Sequence, residues 1–330
     1  MRFAVLGAGA MGSLFGGRLD LAGHEVTLID PWRDHVEAVR RDGLTLSWDG
    51  GSLLAHPDAT TNAAEVGPVD AVIVLTKGYA LAESAAALRP AVGGDAWIVP
   101  LMNGIGHDRT LGAIFTPEQV VPGTTLIGAE MVGPAHTRMS DYTAAEEAVT
   151  HLGPPRTTAA IPAGVVEIAA ALSDAHLPTE ALDDVDEVIW TKLSLASSMG
   201  PLSALMRRTI KDIWEDQAAN AVFRSLYDEI VDVAAAEGVS LERERLWNEQ
   251  HAPLCASSGD SYSSMAWDVM KGRPTEIESF LLEVARRGEK HGVPTPVGKA
   301  VGLMIKGLET PPSREDGDAL AAHPDLRPAA

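Results

Sequence analysis

The sequence has few of the residues on which several specialised protein classes depend. It holds one cysteine in 330 residues, Cys255, so no disulfide can form within the chain, which is compatible with the reducing cytoplasm. Aromatic residues make up only 5%, and 26 basic residues face 46 acidic ones. The resulting excess of negative charge repels phosphate backbones and anionic lipid, so we expect neither nucleic acid nor a membrane surface as partner. The longest strand-like apolar run, 71–75, is far shorter than the roughly 18 residues of a membrane helix.

What is present suits two domains, since 330 residues exceed one average domain and 45% of them are apolar. The first part alternates buried strands with helical stretches, which predicts an α/β fold with a parallel sheet. The strands are predicted at 2–6, 25–30, 69–76 and 96–101, with a further strand pair around 119–128 and 148–153. After Pro162 the pattern becomes helical, with amphipathic stretches at 163–175, 183–199, 218–238 and 275–291. We therefore assign 1–160 to an α/β domain, 161–308 to an all-helical domain and 309–330 to a disordered tail.

The turn after the first strand carries GAGAMG, directly before a predicted helix at 11–21. Gly7 permits a tight turn, Gly9 lets the main chain approach a pyrophosphate, and Gly12 lets the helix pack against the strand. The helix N-terminus adds free N–H groups and partial positive charge. The pattern predicts a Rossmann-type dinucleotide-binding domain, with a glycine turn that binds nothing as the alternative. The candidate cofactor-contacting residues are Gly7, Ala8, Gly9, Ala10, Met11 and Gly12.

Asp30 ends the second predicted strand 18 residues beyond Gly12. This is close to the offset of about 20 residues at which an acidic side chain meets the adenosine ribose hydroxyls. A carboxylate there repels the extra phosphate of NADP(H), so we expect a preference for NAD(H). Arg33 lies close enough to leave NADP(H) open, and a solvated residue at the end of a strand is the alternative for Asp30.

Several segments in chain order resemble the ketopantoate reductase family, and together they span nearly the whole chain. They are GAGAMG, VLTKGYA around Lys77, MNGIG around Asn103, PGTT from Pro122, WTKL at 190–193, PLSAL from Pro201 and SSMAWDVMKGRPTEIE from Ser263. The last segment is the most specific. The resemblance implies hydride transfer between a nicotinamide and the carbonyl of a 2-keto acid.

The resemblance also implies roles for individual residues. Lys192 matches the lysine that protonates the developing alkoxide, Glu276 the partner of the substrate hydroxyl, and Ser264 the residue that binds the substrate carboxylate. Asn103 resembles the residue near the nicotinamide and the catalytic lysine, and Lys77 is expected to face the cofactor. The alternatives are an exposed helix charge for Lys192, a surface acid for Glu276 and a helix cap for Ser264.

The match fails at positions that the family uses to orient ketopantoate. The asparagines four and eight residues beyond the lysine are Ala196 and Gly200 here, and a third falls on Ile210. Losing each buried amide forfeits hydrogen bonds of roughly 1 kcal/mol. The family's Asn-Gly pair is replaced by Leu281 and Leu282, which predicts a more apolar pocket. We therefore predict that ketopantoate is not the physiological substrate.

Two arginines after PLSAL, Arg207 and Arg208, could anchor an anionic substrate, although a solvated turn is the favoured interpretation. We expect a cytoplasmic oxidoreductase of the ketopantoate reductase type that acts on another 2-keto or 2-hydroxy acid. One alternative is a 3-hydroxyacid or opine-like dehydrogenase, and another is a non-catalytic, NAD-responsive binding protein. No Cys/His cluster has zinc spacing, so no metal is expected. Apolar helix faces favour a homodimer.

Overall fold

The structure is a computed structural model that describes residues 1–139 and 149–309. In these ranges the strands are β1 (Arg2–Leu6), β2 (Glu25–Ile29), β3 (Leu44–Trp48), β4 (Gly51–Ala55), β5 (Asp58–Thr60), β6 (Ala71–Val74), β7 (Trp97–Pro100), β8 (Gly123–Thr125), β9 (Ala129–Gly133), β10 (His136–Met139), β11 (Thr150–Leu152) and β12 (Thr179–Ala181). The helices in the same ranges are α1 (Ala10–Leu21), α2 (Arg33–Asp42), α3 (Leu81–Leu88), α4 (His107–Ile114), α5 (Ala163–Asp174), α6 (Asp186–Met206), α7 (Ile210–Glu215), α8 (Gln217–Ala236), α9 (Arg243–Leu246), α10 (Ala252–Ser257), α11 (Ser264–Met270), α12 (Leu281–His291) and α13 (Pro296–Leu308).

The predicted parallel sheet is confirmed. Five strands pair in the order β5-β2-β1-β6-β7, and every pairing is parallel. Their sequences are near-continuous apolar runs because helices or loops cover both faces; all four residues of β6 are buried. From β1 the chain runs outward through β2, then returns to add β6 on the other side. Ligands of such sheets bind at this reversal, beside the carboxyl ends of the strands.

A second sheet, in the order β4-β3-β10-β9, was not predicted. Its β3–β4 hairpin turns through Asp49 and Gly50, a dipeptide that favours two-residue hairpin turns. Leu44 and Leu46 of β3 pack against α1 at Gly17, where an added Cβ would lie 3.0 Å from the Leu46 side chain. The hairpin thus closes the outer side of α1.

The strand pair expected around 119–128 and 148–153 is confirmed as β8 and β11, which pair antiparallel. A third strand, β12, joins them in parallel. Because β12 lies within the region predicted to be all-helical, that prediction is wrong at this short segment. The same core that contains β1 and β2 also buries Val165, Ile168 and Leu172 of α5. The first helix after residue 160, α5, therefore packs on the N-terminal domain. The domain boundary at residue 160 stays a prediction.

The helices from α6 onward form a separate apolar core, built mainly from α6, α8 and α12. The helices predicted at 183–199 and 218–238 correspond to α6 and α8. The stretch predicted as one helix at 275–291 is instead a 3₁₀ turn at 277–279 followed by α12, because Phe280 leaves helical geometry with φ −103° and ψ −117°. Within the described ranges, no helix is both long and apolar enough to cross a membrane.

The chain end predicted as a disordered tail lies outside the described residues except for Glu309. The Glu309 carboxylate accepts hydrogen bonds from Thr275 N at 2.8 Å and from the Thr275 hydroxyl at 2.6 Å. Glu309 thus closes the end of α13 against the turn before α12.

Candidate active site

The glycine loop has the geometry that a dinucleotide requires. Gly7 has φ +91°, and a Cβ on it would lie 2.7 Å from the main-chain nitrogen of Thr76. A Cβ on Gly12 would lie 1.9 Å from the Gly7 carbonyl, whereas a Cβ on Gly9 would meet nothing within 4 Å. The N-terminus of α1 receives no side-chain cap, which leaves its first N–H groups available. The loop thus fits a pyrophosphate above Gly9 and at the start of α1.

Asp30 follows β2 directly beside this loop. Gly7 N and Ala8 N both donate to the Ile29 carbonyl, at 2.9 and 3.3 Å. The Asp30 carboxylate accepts from Trp32 N at 2.9 Å, which fixes it as an Asx turn at the end of the strand. Arg33 is exposed at the start of α2. The hydrogen bonds of Ile29 and Trp32 thus hold the Asp30 carboxylate beside the glycine loop.

Asn103 lies in the loop after β7, at the carboxyl edge of the sheet. The loop is held from the helical domain, because Ile105 N donates to the Ser279 carbonyl at 2.9 Å. Gly104 has φ +91°, and a Cβ there would lie 2.5 Å from that same carbonyl. Only glycine permits this approach, which brings Asn103 against the second domain.

The long helix α6 presents Lys192 to Asn103. The Lys192 Nζ donates to Asn103 Oδ1 at 2.8 Å and to the Thr125 carbonyl at 2.7 Å. Burial lowers the pKa of Lys192 to about 8, and the charge of Glu276 opposes this shift. An ammonium with this pKa is poised to give up a proton near neutral pH. The structure thus joins Lys192 and Asn103 at the domain junction.

Ser264 is the first residue of α11 and lines the same cavity as Lys192. The helix cap is Ser263, whose hydroxyl accepts from Ala266 N at 3.0 Å and donates to the Gly200 carbonyl at 3.0 Å. The capping alternative therefore applies to Ser263 and not to Ser264. Among the described residues the Ser264 hydroxyl has no hydrogen-bond partner, which leaves it available to a ligand.

Glu276 does not line the cavity but lies beside it. Its carboxylate accepts from Lys77 Nζ and from Gly78 N, both at 3.3 Å. Lys77 also donates to Asp268 at 2.9 Å. Although burial lowers the pKa of Lys77, the two carboxylates outweigh it and raise that pKa. Lys77 therefore ties the carboxyl end of β6 to the helical domain, and its expected contact with the cofactor stays a prediction.

The cavity at Lys192 has a volume of about 390 Å³, within the usual range for small-molecule sites. Lys192, Ala196 and Gly200 are four residues apart on α6 and share the face that lines it. Ile210 closes another side, since a capping box at Thr209 starts α7 there. The three positions that lack asparagine thus meet in one cavity. Its other lining residues are Asn103, Leu126, Val188, Thr191, Leu195, Met199, Gln250, His251, Leu254, Ser263, Ser264, Met265 and Phe280.

Leu281 and Leu282 do not line the Lys192 cavity, contrary to the expectation that they make the pocket apolar. Leu281 is buried in the helical core, and Leu282 lies against α13, where an added Cβ on Gly302 would be 2.7 Å from its side chain. The apolar character comes from other residues. Arg207 is exposed at the end of α6, and Arg208 pairs with Asp216 at 2.9 Å. The two arginines thus form a solvated turn.

A second cavity, of about 280 Å³, lies on the other side of the Asn103 loop. Its charged lining is already paired, since Arg156 bonds Asp186 and Arg287 bonds Glu237. Burial of such paired charges leaves little for a ligand to neutralise, so the Lys192 cavity is the stronger candidate for the active site. No group of three or more potential metal-ligating side chains occurs within residues 1–139 and 149–309.

Sequence reasoning missed four contributors to the site. The Thr125 carbonyl is a main-chain group, for which no side-chain signal exists. His107 and Ser279 act on the Asn103 loop from α4 and from the other domain, and their partners follow only from the tertiary contact. Asp268 stood within the matching segment SSMAWD, which indicated that it lies near the site. Nothing in the sequence indicated its role.

A dinucleotide loop, a buried lysine and an adjacent cavity at a domain junction define a nicotinamide-dependent oxidoreductase. Comparison with known proteins gives its family. A family model described as "Ketopantoate reductase PanE/ApbA" matches residues 3–154, and the corresponding C-terminal model matches 184–309. The chain therefore belongs to the ketopantoate reductase family, whose members are NAD(P)-dependent oxidoreductases acting on CH–OH groups.

Similar proteins cover nearly the whole chain. The chain is 30% identical to a 2-dehydropantoate 2-reductase of Halobacterium salinarum, over 93% of this chain and 98% of the relative. It is 28% identical to a 2-dehydropantoate 2-reductase of Lactococcus lactis, over 90% and 94%. A solved structure, D-mandelate dehydrogenase with NADH and anilino(oxo)acetate, superposes with a TM-score of 0.84 at 26% identity, over 94% and 98%.

Proposed function

We propose that this enzyme interconverts a 2-keto acid with an apolar side chain and the corresponding 2-hydroxy acid, and that ketopantoate is a poor substrate. The observation that carries this proposal is the cavity beside Lys192, where Ala196, Gly200 and Ile210 occupy the positions of the family's asparagines. Without asparagines at these three positions, this wall offers a substrate hydroxyl fewer hydrogen-bond partners and favours apolar groups. The likeness to a D-mandelate dehydrogenase, whose ligand carries an aromatic ring, supports the same substrate class.

In the proposed mechanism the bound nicotinamide supplies the hydride. Lys192 donates its proton to the carbonyl oxygen, and Asn103 and the Thr125 carbonyl orient the ammonium. Ser264 donates its hydroxyl hydrogen to the substrate carboxylate. Glu276 keeps its proposed role near the substrate oxygen, although its carboxylate is bonded to Lys77 and Gly78.

We propose NAD(H) as the preferred cofactor, with NADP(H) as a weaker alternative. Asp30 is held beside the glycine loop, and its charge opposes a phosphate on the ribose. Arg33, exposed three residues farther along the chain, has the opposite effect. The NADH-bound D-mandelate dehydrogenase structure supports the same preference.

The cytoplasmic homodimer also stays a prediction. Three apolar side chains on α13, Leu303, Met304 and Leu308, are each more than half exposed, which favours a partner surface. Light scattering coupled to gel filtration tests the dimer.

The substrate proposal is tested with two acids that differ by one hydroxyl. Ketopantoate and 3,3-dimethyl-2-oxobutanoate have the same carbon skeleton, and only ketopantoate carries a 4-hydroxyl. Oxidation of NADH and of NADPH is followed by absorbance with each acid and with phenylglyoxylate. We expect higher kcat/KM for the two apolar acids, and higher kcat/KM with NADH.

A preference for ketopantoate would contradict the substrate proposal and identify an ordinary ketopantoate reductase. Turnover restricted to 3-hydroxy acids or to amino-acid condensation would favour the 3-hydroxyacid or opine-like alternative. Cofactor binding without any turnover is the outcome expected of a non-catalytic binding protein.

A further inference from the structure

We propose that His107 is a positioning residue for proton transfer: it holds the main chain of Asn103, and Asn103 in turn holds the ammonium of Lys192. This inference rests on the proposed role of Lys192 as proton donor. Nothing in the sequence motifs assigns a role to His107, which follows the NGIG segment as the first residue of α4.

Two contacts of hydrogen-bond length connect His107 to Lys192 through Asn103. His107 Nε2 lies 2.8 Å from the Asn103 carbonyl, and Asn103 Oδ1 lies 2.8 Å from Lys192 Nζ. Because a carbonyl oxygen only accepts, Nε2 must carry the hydrogen and donate it. His107 therefore pins the residue that aims the ammonium, without touching the ammonium.

The histidine suits this role because it is buried and stays neutral. The residue is 8% exposed, and burial lowers its pKa, although the hydrogen bond with the Asn103 carbonyl and the charges of Glu276, Asp108 and Glu283 oppose this shift. The imidazole therefore keeps one donor and one acceptor nitrogen through the pH range of catalysis. The Nε2–H bond to the Asn103 carbonyl is then present whether Lys192 is charged or not.

The Asn103 loop has two supports, and they act at different atoms. Ile105 N is held by the Ser279 carbonyl of the helical domain, whereas the Asn103 carbonyl is held by His107. The first support fixes the loop after Asn103. The bond from His107 acts on Asn103 itself. Loss of this bond therefore frees the Asn103 side-chain amide, which positions Lys192 Nζ. A displacement of about 1 Å at a reacting group can reduce the rate by roughly a hundredfold.

The test compares His107→Phe with His107→Gln. Phenylalanine keeps a planar ring but has no donor, whereas the glutamine amide places an N–H near the position of Nε2. We expect His107→Phe to lower kcat about tenfold or more with KM for the keto acid changed less than about twofold, and His107→Gln to recover most of kcat. His24→Phe, at the opposite edge of the sheet beside Phe3, is the matched control and should retain normal kcat.

The pH dependence separates positioning from packing. Without a fixed Asn103 Oδ1 the charged ammonium loses an acceptor, so the pKa of Lys192 falls further. Since the proton donor must be charged for reduction, the alkaline limb of kcat should move to lower pH in His107→Phe and return in His107→Gln. Titration of reductively ¹³C-methylated Lys192 by NMR measures the same shift without any turnover.

Wild-type kcat and an unmoved alkaline limb in His107→Phe would overturn the proposal. Equal losses in the phenylalanine and glutamine variants, with unchanged Lys192 titration, would also overturn it and indicate packing alone. If the wild-type enzyme reduces no keto acid, the proposed function fails, while the NMR titration still decides whether His107 positions Lys192.

Discussion

At the scale of single residues, the chemistry depends on how the protein surrounds Lys192. An exposed lysine keeps its proton well above neutral pH, and desolvation weakens that hold. Two neutral oxygens, from Asn103 and Thr125, keep the ammonium bound without the full stabilisation that a carboxylate contact would give. The result is a group with a pKa of about 8 that faces a small-molecule cavity.

Replacing Lys192 by Met removes the proton donor while keeping a long side chain. We expect kcat for reduction to fall by about 10²–10⁴ with little change in cofactor affinity. In the wild-type enzyme, kcat should fall as pH rises through about 8, because the acid loses its proton there. Stopped-flow and steady-state rates measure both effects, and Lys211→Met, at an exposed pair with Glu215, is the control. A Lys192→Met enzyme with near-normal kcat would contradict this role.

Asp30 decides the cofactor preference in the same local way. We expect Asp30→Ala to weaken NADH binding about tenfold, because the ribose hydroxyls lose a charged acceptor, and to leave NADPH binding equal or tighter. Nicotinamide fluorescence titration measures both dissociation constants. Arg33→Ala is the matched control and should weaken only NADPH. If Asp30→Ala weakens both cofactors equally, Asp30 has no part in discrimination.

At the scale of elements, α6 bears on substrate choice because one face of this helix carries both Lys192, the proposed proton donor, and Ala196 and Gly200, which line the cavity. The double variant Ala196→Asn/Gly200→Asn introduces two amides on the cavity wall, and a Cβ at Gly200 would meet nothing within 4 Å. Two added hydrogen bonds of about 1 kcal/mol each should raise kcat/KM for ketopantoate relative to 3,3-dimethyl-2-oxobutanoate by roughly tenfold or more.

The measurement for this variant is the ratio of the two kcat/KM values, because a ratio cancels any general loss of activity. Ala196→Leu/Gly200→Ala is the control, since it fills space without adding a polar group. An unchanged ratio in the asparagine variant would show that these positions do not contact the part of the substrate that bears the hydroxyl.

Local patterns predicted the elements whose signals are local. The glycine loop, β1, β2 and α6 follow from apolar periodicity and from motif context, and the parallel sheet follows from their alternation. The hairpin β3–β4 was missed because β4 is mostly exposed, with Leu53 and Leu54 facing solvent, so no buried run marked it. Leu281 and Leu282 were misplaced for the reverse reason, since a sequence shows that residues are apolar but not which cavity or core they meet.

At the scale of the whole molecule, the two domains are joined by charge as well as by apolar packing. Lys77 follows β6 of the parallel sheet, while Asp268 and Glu276 belong to the helical domain and are more than 90% buried. Asp268 also pairs with Arg273 at 2.9 Å, so the loss of Lys77 leaves Glu276 as the more exposed to the cost of an unpaired buried carboxylate. The lysine side chain is 40% exposed, however, and water screens part of the attraction.

A double-mutant cycle with Lys77→Met and Asp268→Asn should therefore give a coupling of about 1–2 kcal/mol, below the value for a fully buried pair. Because the pKa of Lys77 is raised in the folded protein, this stabilisation is complete below the ordinary lysine pKa and is lost as pH rises through the higher folded value. Urea unfolding at pH 7 and at pH above 11 measures the coupling, with the exposed pair Lys211 and Glu215 as the comparison. A coupling at pH 7 no larger than that of the exposed pair would mean that the Lys77–Asp268 pair does not help to hold the domains together.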